Sequence, residues 1–259
     1  MKKKSNKLKV LFVGAFKETK DGSLGGQLFA CKTLIESNIQ NKVDFILLDS
    51  TMETLPPPGL FRRTYLAIRR LSIFLYSITT EPVDTVLIFT SSGLSFLEKG
   101  FMIIIANIFN VRTVLSPRSG LILEDLHRSK IMKTFVRFVL TRSDVILCQS
   151  SEWKELFKTL TKLPDSRFVV IKNWLNPETY FRIPLKRKEK NKLNVLFLGW
   201  IERNKGIFNL IEAVSSDNTL QSNFTYIICG KGSELEEVKK LIDIKNLSKA
   251  FDFRGWVCG

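Results

Sequence analysis

Nine short apolar runs, rich in β-branched residues, recur along the chain, and stretches with helical spacing separate most of them. Runs of this kind are typical of strands buried on both faces, and the helices between them form the crossovers of parallel sheets. The sequence therefore predicts an α/β fold with parallel, doubly wound sheets. The predicted strands are residues 9–13, 43–48, 84–89, 113–115, 144–147, 168–171, 193–198, 226–229 and 251–253. The predicted helices include residues 27–36, 94–108, 126–140 and 152–160.

A five-residue pattern occurs twice and suggests how the chain is divided. Residues 10–14 read VLFVG and residues 195–199 read VLFLG, and each copy ends at a glycine that leads to a helix. The polar residues 184–192, before the second copy, have the composition of a linker. We predict two Rossmann-like domains, residues 1–185 and 186–259. The second has only three predicted strands, so we expect it to be incomplete and to expose a sheet edge and uncovered faces.

The charge balance narrows the class of partner. Lysine and arginine number 40, against 25 aspartates and glutamates, which gives a net charge of +15. Such an excess favours an anionic partner, either nucleic acid, an acidic membrane surface or phosphorylated small molecules. No segment resembles a nucleic-acid-binding module, so we expect no nucleic acid partner.

Two helical segments combine cations with large apolar side chains. Helices of this kind can lie on anionic membrane surfaces. The alternative interpretation, a core helix with a solvated basic edge, has equal weight. The longest apolar stretch, residues 101–109, is far shorter than the roughly 20 residues of a membrane span. The cations are Arg62, Arg63, Arg69 and Arg70 in the first segment and Lys130, Lys133 and Arg137 in the second.

Four widely separated cysteines accompany a single histidine, His127. This pattern has no metal-ligand spacing and argues against a zinc site. We expect buried thiols in a reducing compartment, hence a cytoplasmic protein, and no resident cofactor. The cysteines are Cys31, Cys148, Cys229 and Cys258.

Two cations stand where a helix is predicted to begin. Arg203 and Lys205 lie between Gly199 and the helical residues 207–214, at the positive end of the helix dipole, where cations are unfavourable. An anion held by free backbone N–H groups and by both side chains would resolve this conflict. A solvated basic turn is the alternative, with even weight.

Glycines precede two further helices. Gly25 and Gly26 precede residues 27–36, where they either present N–H groups to a phosphate or end a flexible loop. Gly230, Lys231 and Gly232 follow a strand, where the glycines allow a ligand to approach the backbone or simply form a tight turn.

The spacing of these glycines bears on the type of nucleotide site. Gly14 and Gly25 are too far apart for the compact fingerprint G-x-G-x-x-G, which disfavours an NAD-dependent oxidoreductase. Ser233 and Glu236 have the spacing of a capping box, which predicts that this helix start is structural.

One loop and one histidine are candidates on the acceptor side. Arg118, in the segment SPRSG, follows a predicted strand at the sheet edge where open α/β sheets bind ligands, although a turn with a surface arginine is the alternative. His127 is a candidate proton carrier, but a lone histidine at a helix start is more often simply exposed.

Several segments, taken in order, resemble family 4 of the nucleotide-sugar glycosyltransferases, which have the GT-B fold. The resemblance covers nearly the whole chain, and its specificity comes from the order of short signatures. These signatures are GG (25–26), SPRSG (116–120), SDVILCQSSEW (143–153), LFLGWIERNKGIFNLIEA (196–213), ICGKGSE (228–234) and FRGWVCG (253–259).

The resemblance implies a retaining sugar transfer from a nucleotide-sugar, without an essential metal. Arg203 and Lys205 would hold the donor diphosphate, Gly26 would approach it from the other domain, and the acceptor would bind near Arg118. Many members build cell-envelope glycans or lipid-linked glycans at the inner membrane face. The resemblance therefore implies a glycan or lipid-linked acceptor, and a peripheral location at that face.

Two departures qualify the resemblance. Residues 171–174 stand where the family has a Pro-Asn-Gly turn, and of that turn only Asn173 is kept. The family's pair of donor-binding glutamates would lie beyond Gly259, so we expect a C-terminally truncated member. A non-catalytic remnant that binds a nucleotide or a partner glycosyltransferase subunit is the alternative hypothesis.

Overall fold

The structure is a computed structural model, which describes residues 7–20, 26–54, 57–174 and 192–257. The chain divides into two compact units, Met1–Phe181 and Arg182–Gly259. The predicted boundary between residues 185 and 186 lies outside the described residues, as does most of the predicted linker.

The first unit contains a single parallel sheet of six strands in the order β2-β1-β3-β4-β5-β6. All six strands predicted for this part of the chain are present. The strands are β1 (Leu8–Gly14), β2 (Val43–Asp49), β3 (Thr85–Thr90), β4 (Arg112–Pro117), β5 (Val145–Cys148) and β6 (Phe168–Val170). The helices are α1 (Gly26–Glu36), α2 (Leu60–Thr80), α3 (Leu94–Ile108), α4 (Leu121–Arg128), α5 (Lys130–Arg142) and α6 (Ser151–Thr161).

The predicted helix over residues 126–140 is wrong in one respect, because the structure has two helices there. Ser129 has an extended backbone, with φ of −137°, and its hydroxyl oxygen accepts a hydrogen bond from the amide of Met132. Ser129 therefore ends α4 and caps α5. As a result His127 lies in the last turn of α4, and the prediction of a helix start at His127 is also wrong.

The two faces of the first sheet are covered unequally. Alternate side chains of each strand point to opposite faces, so Leu11 and Val13 join one cluster whereas Phe12 joins another. The larger cluster lies beneath α2, α3, α4, α5 and α6. The smaller cluster packs Phe12 and Phe89 against Ala30 and Cys31 of α1. Among the described helices, only α1 covers this second face.

The second unit contains a parallel sheet of three strands in the order β7-β8-β9. Helices α7 and α9 pack on one face, against Val195, Phe197 and Ile228. Leu196 and Leu198 of the edge strand β7 are exposed. In the described part of this unit the other face of the sheet therefore carries no helix, which agrees with the expected uncovered face, and the expected exposed edge is present as well. The elements are β7 (Leu193–Leu198), α7 (Ile207–Ser216), α8 (Asn218–Asn223), β8 (Phe224–Cys229), α9 (Leu235–Ile244) and β9 (Phe251–Gly255).

No helix in the described ranges is both long enough and apolar enough to cross a membrane. The longest, α2, carries four arginines in its 21 residues.

Candidate functional site

The loops after β7 and β8 are hydrogen-bonded to each other at the carboxyl edge of the second sheet. The amide of Ile201 donates to the carbonyl oxygen of Lys231 over 3.0 Å, and the Ile201 carbonyl oxygen accepts from the amide of Glu234 over 3.3 Å. The amide of Gly199 donates to the Cys229 carbonyl oxygen over 3.1 Å. This edge is where open parallel sheets bind ligands.

The close approach of these loops requires two of the predicted glycines. A Cβ atom at Gly230 would lie 1.9 Å from the carbonyl oxygen of Gly199, and one at Gly232 would lie 2.2 Å from that of Ile201. Both distances are far below van der Waals contact, so no other residue fits without movement of the backbone. The neighbouring loop thus explains these glycines, which favours the structural alternative over a direct approach by a ligand.

The predicted capping box at the start of α9 is wrong. The residue that precedes α9 is Glu234, and its side chain makes no capping hydrogen bond. The Ser233 hydroxyl is 3.5 Å from a carboxylate oxygen of Glu234, and Glu236 instead bonds Lys239 over 3.0 Å. The tight contacts of the Gly232 loop set the position where this helix begins.

Arg203 is held by acidic side chains at the N-terminal end of α9. It opens a short 3-10 helix, Arg203–Lys205, which Gly206 connects to α7 with a left-handed φ of +79°. The guanidinium donates to a carboxylate oxygen of Glu237 and lies 3.7 Å from one of Glu234. It also stacks 4.4 Å from the ring centroid of Phe208. Two carboxylates of the protein therefore compensate this cation at the start of α7, which relieves part of the predicted conflict.

Lys205 differs from Arg203 in its partners. Its side chain is exposed, and within the described ranges it makes no ion pair. It lies one residue before Gly206, at the positive end of the α7 dipole, so the predicted electrostatic conflict persists at this residue. A ligand anion at the start of α7 would meet Lys205 without competition from a carboxylate.

Two tryptophans lie beside Lys231 at the same edge. Trp200, Lys231 and Trp256 follow β7, β8 and β9, and the two indole rings are 5.0 Å apart. The Lys231 ammonium is 5.7 Å from the Trp200 ring centroid and 5.1 Å from that of Trp256. Sequence reasoning missed the tryptophans, although both directly follow a strand-ending glycine. Half-buried aromatic faces at this edge suit a flat or ring-shaped ligand.

In the first unit, Gly26 is the first residue of α1 and Gly25 lies outside the described residues. Strand β1 lies between β2 and β3, so the strand order reverses there and α1 starts beside the switch point. A Cβ at Gly26 would have no atom of the described residues within 4 Å, so none of these residues requires glycine at this position.

Arg118 lies at the carboxyl edge of the first sheet between two aromatic rings. Its guanidinium carbon is 5.1 Å from the Phe89 ring centroid and 4.8 Å from that of Trp174. It donates to the side-chain oxygen of Asn173 over 2.9 Å, and the Gln149 amide nitrogen donates to the same oxygen over 2.8 Å. Burial lowers the pKa of Arg118. Among the described residues no carboxylate pairs with Arg118, so its charge is available to an anion.

A cavity of about 500 Å³ extends from Arg118 and Trp174 across the face of the sheet that α1 covers. His127 is exposed in the last turn of α4 and does not line this cavity, so the two acceptor-side candidates are not brought together there. The cavity is mostly apolar. Its walls include Leu34, Phe45, Leu87, Val114, Leu147 and Ile171.

The expected buried thiols are confirmed for three of the four cysteines. Cys31, Cys148 and Cys229 are free and buried, whereas Cys258 lies outside the described residues. Burial raises the pKa of Cys31 to about 12 and that of Cys148 to about 11. Both thiols are therefore protonated and unreactive near neutral pH.

Comparison with known proteins places the fold. A family model described as glycosyl transferases group 1 matches residues 179–258, which is less than half of the chain but includes every described residue of the second unit. No curated protein sequence matches the chain.

Solved structures of glycosyltransferases resemble both units. The apo form of the lipopolysaccharide outer core galactosyltransferase WaaB is 16% identical with a TM-score of 0.59, and the match covers 96% of this chain and 68% of that one. WaaG, a glycosyltransferase involved in lipopolysaccharide biosynthesis, is 12% identical with a TM-score of 0.59, covering 96% and 70%. An E. coli structure described as trehalose-6-phosphate bound with UDP-2-fluoro glucose is 8% identical with a TM-score of 0.60, covering 97% and 74%.

The fold is therefore of the GT-B type, with a partial second domain, as the sequence predicted. At these identities the similarity concerns the fold alone.

We expect Gly232→Ala to destabilise the second unit. The added Cβ must displace the backbone of Ile201, which breaks the bonds between the two loops. Chemical denaturation should show a loss of about 1–3 kcal/mol. The matched control is Ser233→Ala at the exposed neighbouring position, for which a loss within about 0.5 kcal/mol is expected. Equal losses in the two variants would contradict the role given to Gly232.

The Arg203–Glu237 pair should be visible in a carboxyl titration. Hydrogen bonding to Arg203 holds the pKa of Glu237 below its ordinary value. The pair therefore stabilises the fold at pH values above the ordinary pKa of a glutamate. This stabilisation is lost as the pH falls and Glu237 becomes protonated. In an NMR titration, Arg203→Gln should raise the pKa of Glu237 and Lys205→Gln should leave it unchanged. A shift with Lys205→Gln alone would show that the two cations are assigned wrongly.

Proposed function

We propose that this protein is a retaining glycosyltransferase of family 4, which moves a sugar from a nucleotide-sugar to a cell-envelope glycan or lipid-linked acceptor. The observation that carries the proposal is the match to the glycosyl transferases group 1 model, because it spans the part of the chain that holds Arg203, Lys205 and the paired loops. The GT-B fold of the chain is consistent with this activity.

In this proposal the donor diphosphate binds at the start of α7. The free N–H groups of the helix N-terminus and the Lys205 ammonium meet its oxygens, and Arg203 exchanges its contact with Glu237 for one with the ligand. Breaking the glycosidic bond leaves negative charge on the departing nucleoside diphosphate and positive charge on the sugar. Fixed cations lower the activation free energy for breaking this bond, because they stabilise the negatively charged leaving group more in the transition state than in the bound substrate.

The same cations bear on the metal requirement. Many phosphate-transferring sites use a metal ion to neutralise a diphosphate. Two side-chain cations and a helix N-terminus supply comparable charge here, so we expect no essential metal. The donor is a co-substrate, and no resident cofactor is part of the proposal.

The nucleotide part of the donor has a candidate contact surface beside the diphosphate. The Lys231 ammonium lies over the indole rings of Trp200 and Trp256. Lys231 follows β8, and the two tryptophans follow the flanking strands β7 and β9. Aromatic faces favour a planar base or the apolar face of a sugar ring. In the first unit, Gly26 offers the N-terminus of α1 as a further anion site.

The acceptor assignment rests on Arg118 and its cavity. Arg118 is a desolvated cation without a carboxylate partner in the described ranges, and it borders an apolar space. An acceptor that joins an anionic group to an apolar chain satisfies both features. A lipid-linked acceptor has this chemistry, and it would place the protein at the cytoplasmic face of the cell membrane.

We expect the double variant Arg203→Ala with Lys205→Ala to lose donor affinity. Each charged contact contributes about 1.5–3 kcal/mol, so calorimetric titration with UDP- and GDP-sugars should show at least about tenfold weaker binding for each cation removed. The matched control is Lys249→Ala. Lys249 is an exposed lysine just before β9, at the amino ends of the strands, whereas Arg203 and Lys205 follow the carboxyl end of β7. Unchanged affinity in the double variant would refute the diphosphate site.

We expect Arg118→Gln to weaken an anionic amphiphile selectively. Calorimetry with dodecyl phosphate, dodecanol and inorganic phosphate separates the charged contact from the apolar one. The variant should bind dodecyl phosphate about tenfold less tightly and dodecanol equally well. Arg128→Gln, at an exposed position, serves as the control. An equal response to dodecyl phosphate in the two variants would remove Arg118 from the acceptor site.

A further inference from the structure

Two helices of the first unit share a buried cluster of three charged side chains. Helix α2 packs on α3, and Arg70 of α2 lies one turn before the buried Phe74, on the side that α2 turns to the core. Glu98 and Lys99 of α3 are 6% and 3% exposed. Glu98 is the only carboxylate in the sequences of these two helices. None of the three charged residues belongs to the candidate sites described above.

The two cations of the cluster contact Glu98 unequally. Arg70 donates a hydrogen bond of 2.5 Å from Nε to one carboxylate oxygen and one of 2.8 Å from Nη2 to the other. Lys99 donates a single bond of 3.3 Å to the oxygen that Arg70 Nη2 already contacts. A hydrogen bond between a charged nitrogen and a carboxylate is ordinarily about 2.7–2.9 Å long. The charge of Glu98 is therefore balanced by Arg70, and Lys99 has the weaker contact.

The other elements packed against α3 bring little compensating charge to Lys99. Helix α3 packs against α2, α5, β3 and β4. Strand β3 has no titratable side chain, and Arg112 of β4 is exposed. Helix α5 faces α3 with Phe135 and Val139, and its own cations are exposed. Arg70 is thus the charged side chain that these neighbours place beside Lys99, and it has the same sign.

One further carboxylate, Asp49 of β2, attracts Lys99. Asp49 already accepts hydrogen bonds from two backbone amides and one hydroxyl of nearby residues. Burial lowers the pKa of Lys99 and the Arg70 cation lowers it as well, whereas Glu98 and Asp49 oppose this shift. Lys99 therefore loses its proton at a lower pH than an exposed lysine does.

We propose that Arg70, Glu98 and Lys99 form a pH-sensitive latch, which holds α2 firmly on α3 while Lys99 is uncharged and loosens α2 when Lys99 binds a proton. Arg70 is not the titrating member, because a guanidinium stays protonated in proteins. With Lys99 uncharged, the cluster holds one cation and one carboxylate. With Lys99 protonated, the cluster holds a second cation that has no carboxylate of its own, and burial of such a charge is unfavourable.

The direction of the pH effect follows from which state binds the proton more tightly. When α2 is loosened, Lys99 is hydrated and keeps its proton to a higher pH than in the closed helix pair. The closed state therefore gains stability as the pH rises. The gain begins where Lys99 loses its proton in the closed state, and it ends near the pKa of a free lysine, about 10.4. One titrating group changes this equilibrium by at most about tenfold per pH unit.

Hydrogen exchange of α2, followed by mass spectrometry, tests the latch without any ligand or sugar transfer. The unaltered protein and Lys99→Met are compared at several pH values between about 6 and 9, so that the intrinsic pH dependence of exchange cancels at each pH. Methionine is unbranched and carries no charge. The protection of α2 in the unaltered protein, divided by that in Lys99→Met, should rise with pH by up to about tenfold per unit. A ratio that stays constant over this range would overturn the proposal.

Two controls separate the latch from a general effect of charge. Lys133→Met removes an exposed cation of α5, and the protection of α2 in this variant should equal that in the unaltered protein at every pH. Helix α6, which packs on α5, is the internal reference. Its protection should be the same in Lys99→Met and in the unaltered protein. An equal change in α2 and α6 would show that Lys99 acts on the whole unit, and the latch would be wrong.

Glu98→Gln provides a second, independent variant. Glutamine keeps the shape of the side chain but removes the negative charge that favours the protonated form of Lys99. The rise of α2 protection with pH should therefore move to lower pH in this variant, after correction for the exchange rates of an unstructured peptide. Circular dichroism confirms that each variant is folded. A pH dependence that Glu98→Gln leaves in place would mean that another group titrates, which also contradicts the proposal.

Discussion

Parallel strand pairing is the constraint on which the rest of this structure depends. It directs the carboxyl ends of all strands in a sheet to one edge, so loops far apart in the chain meet there. In the second unit this brings the loops of Ile201 and Lys231 into backbone contact, and that contact excludes a Cβ atom at Gly230 and Gly232. The position of α9, and with it the position of Glu237 beside Arg203, follows from the same contact.

The unequal covering of the first sheet gives its two faces different chemistry. Five helices cover one face, and α2 and α5 among them carry several cations that make no ion pair within the described residues. Among the described helices only α1 covers the other face, and an apolar cavity remains there beside Arg118. The same fold therefore presents a broad basic surface in one direction and a narrow enclosed one in the other. The broad basic surface suits an extended partner, and the cavity beside Arg118 suits one small molecule.

The local parts of the fold could be predicted from the sequence, whereas contacts between distant segments could not. Apolar runs predicted all nine strands that the structure describes, because burial on a parallel sheet demands continuous hydrophobicity. Ser129 is a favourable N-cap residue, but it lies within a stretch whose periodicity predicts one continuous helix. The Arg203–Glu237 pair spans 34 positions, and no local pattern signals it. The contact between Trp200 and Trp256 depends on the order of three strands, although a glycine before each tryptophan was a usable signal.

The carboxylates around Arg203 have a consequence for any anion that reaches it. Glu234 and Glu237 pair with the Arg203 guanidinium before a ligand binds, so they compete with any anion for contact with this cation. A singly charged anion offers no more charge than the glutamate that it displaces, and it gains little by the exchange. A more highly charged group exceeds what the glutamates supply. At Arg203 the exchange therefore favours a multiply charged anion over a monovalent one, whereas Lys205 has no competing carboxylate within the described residues.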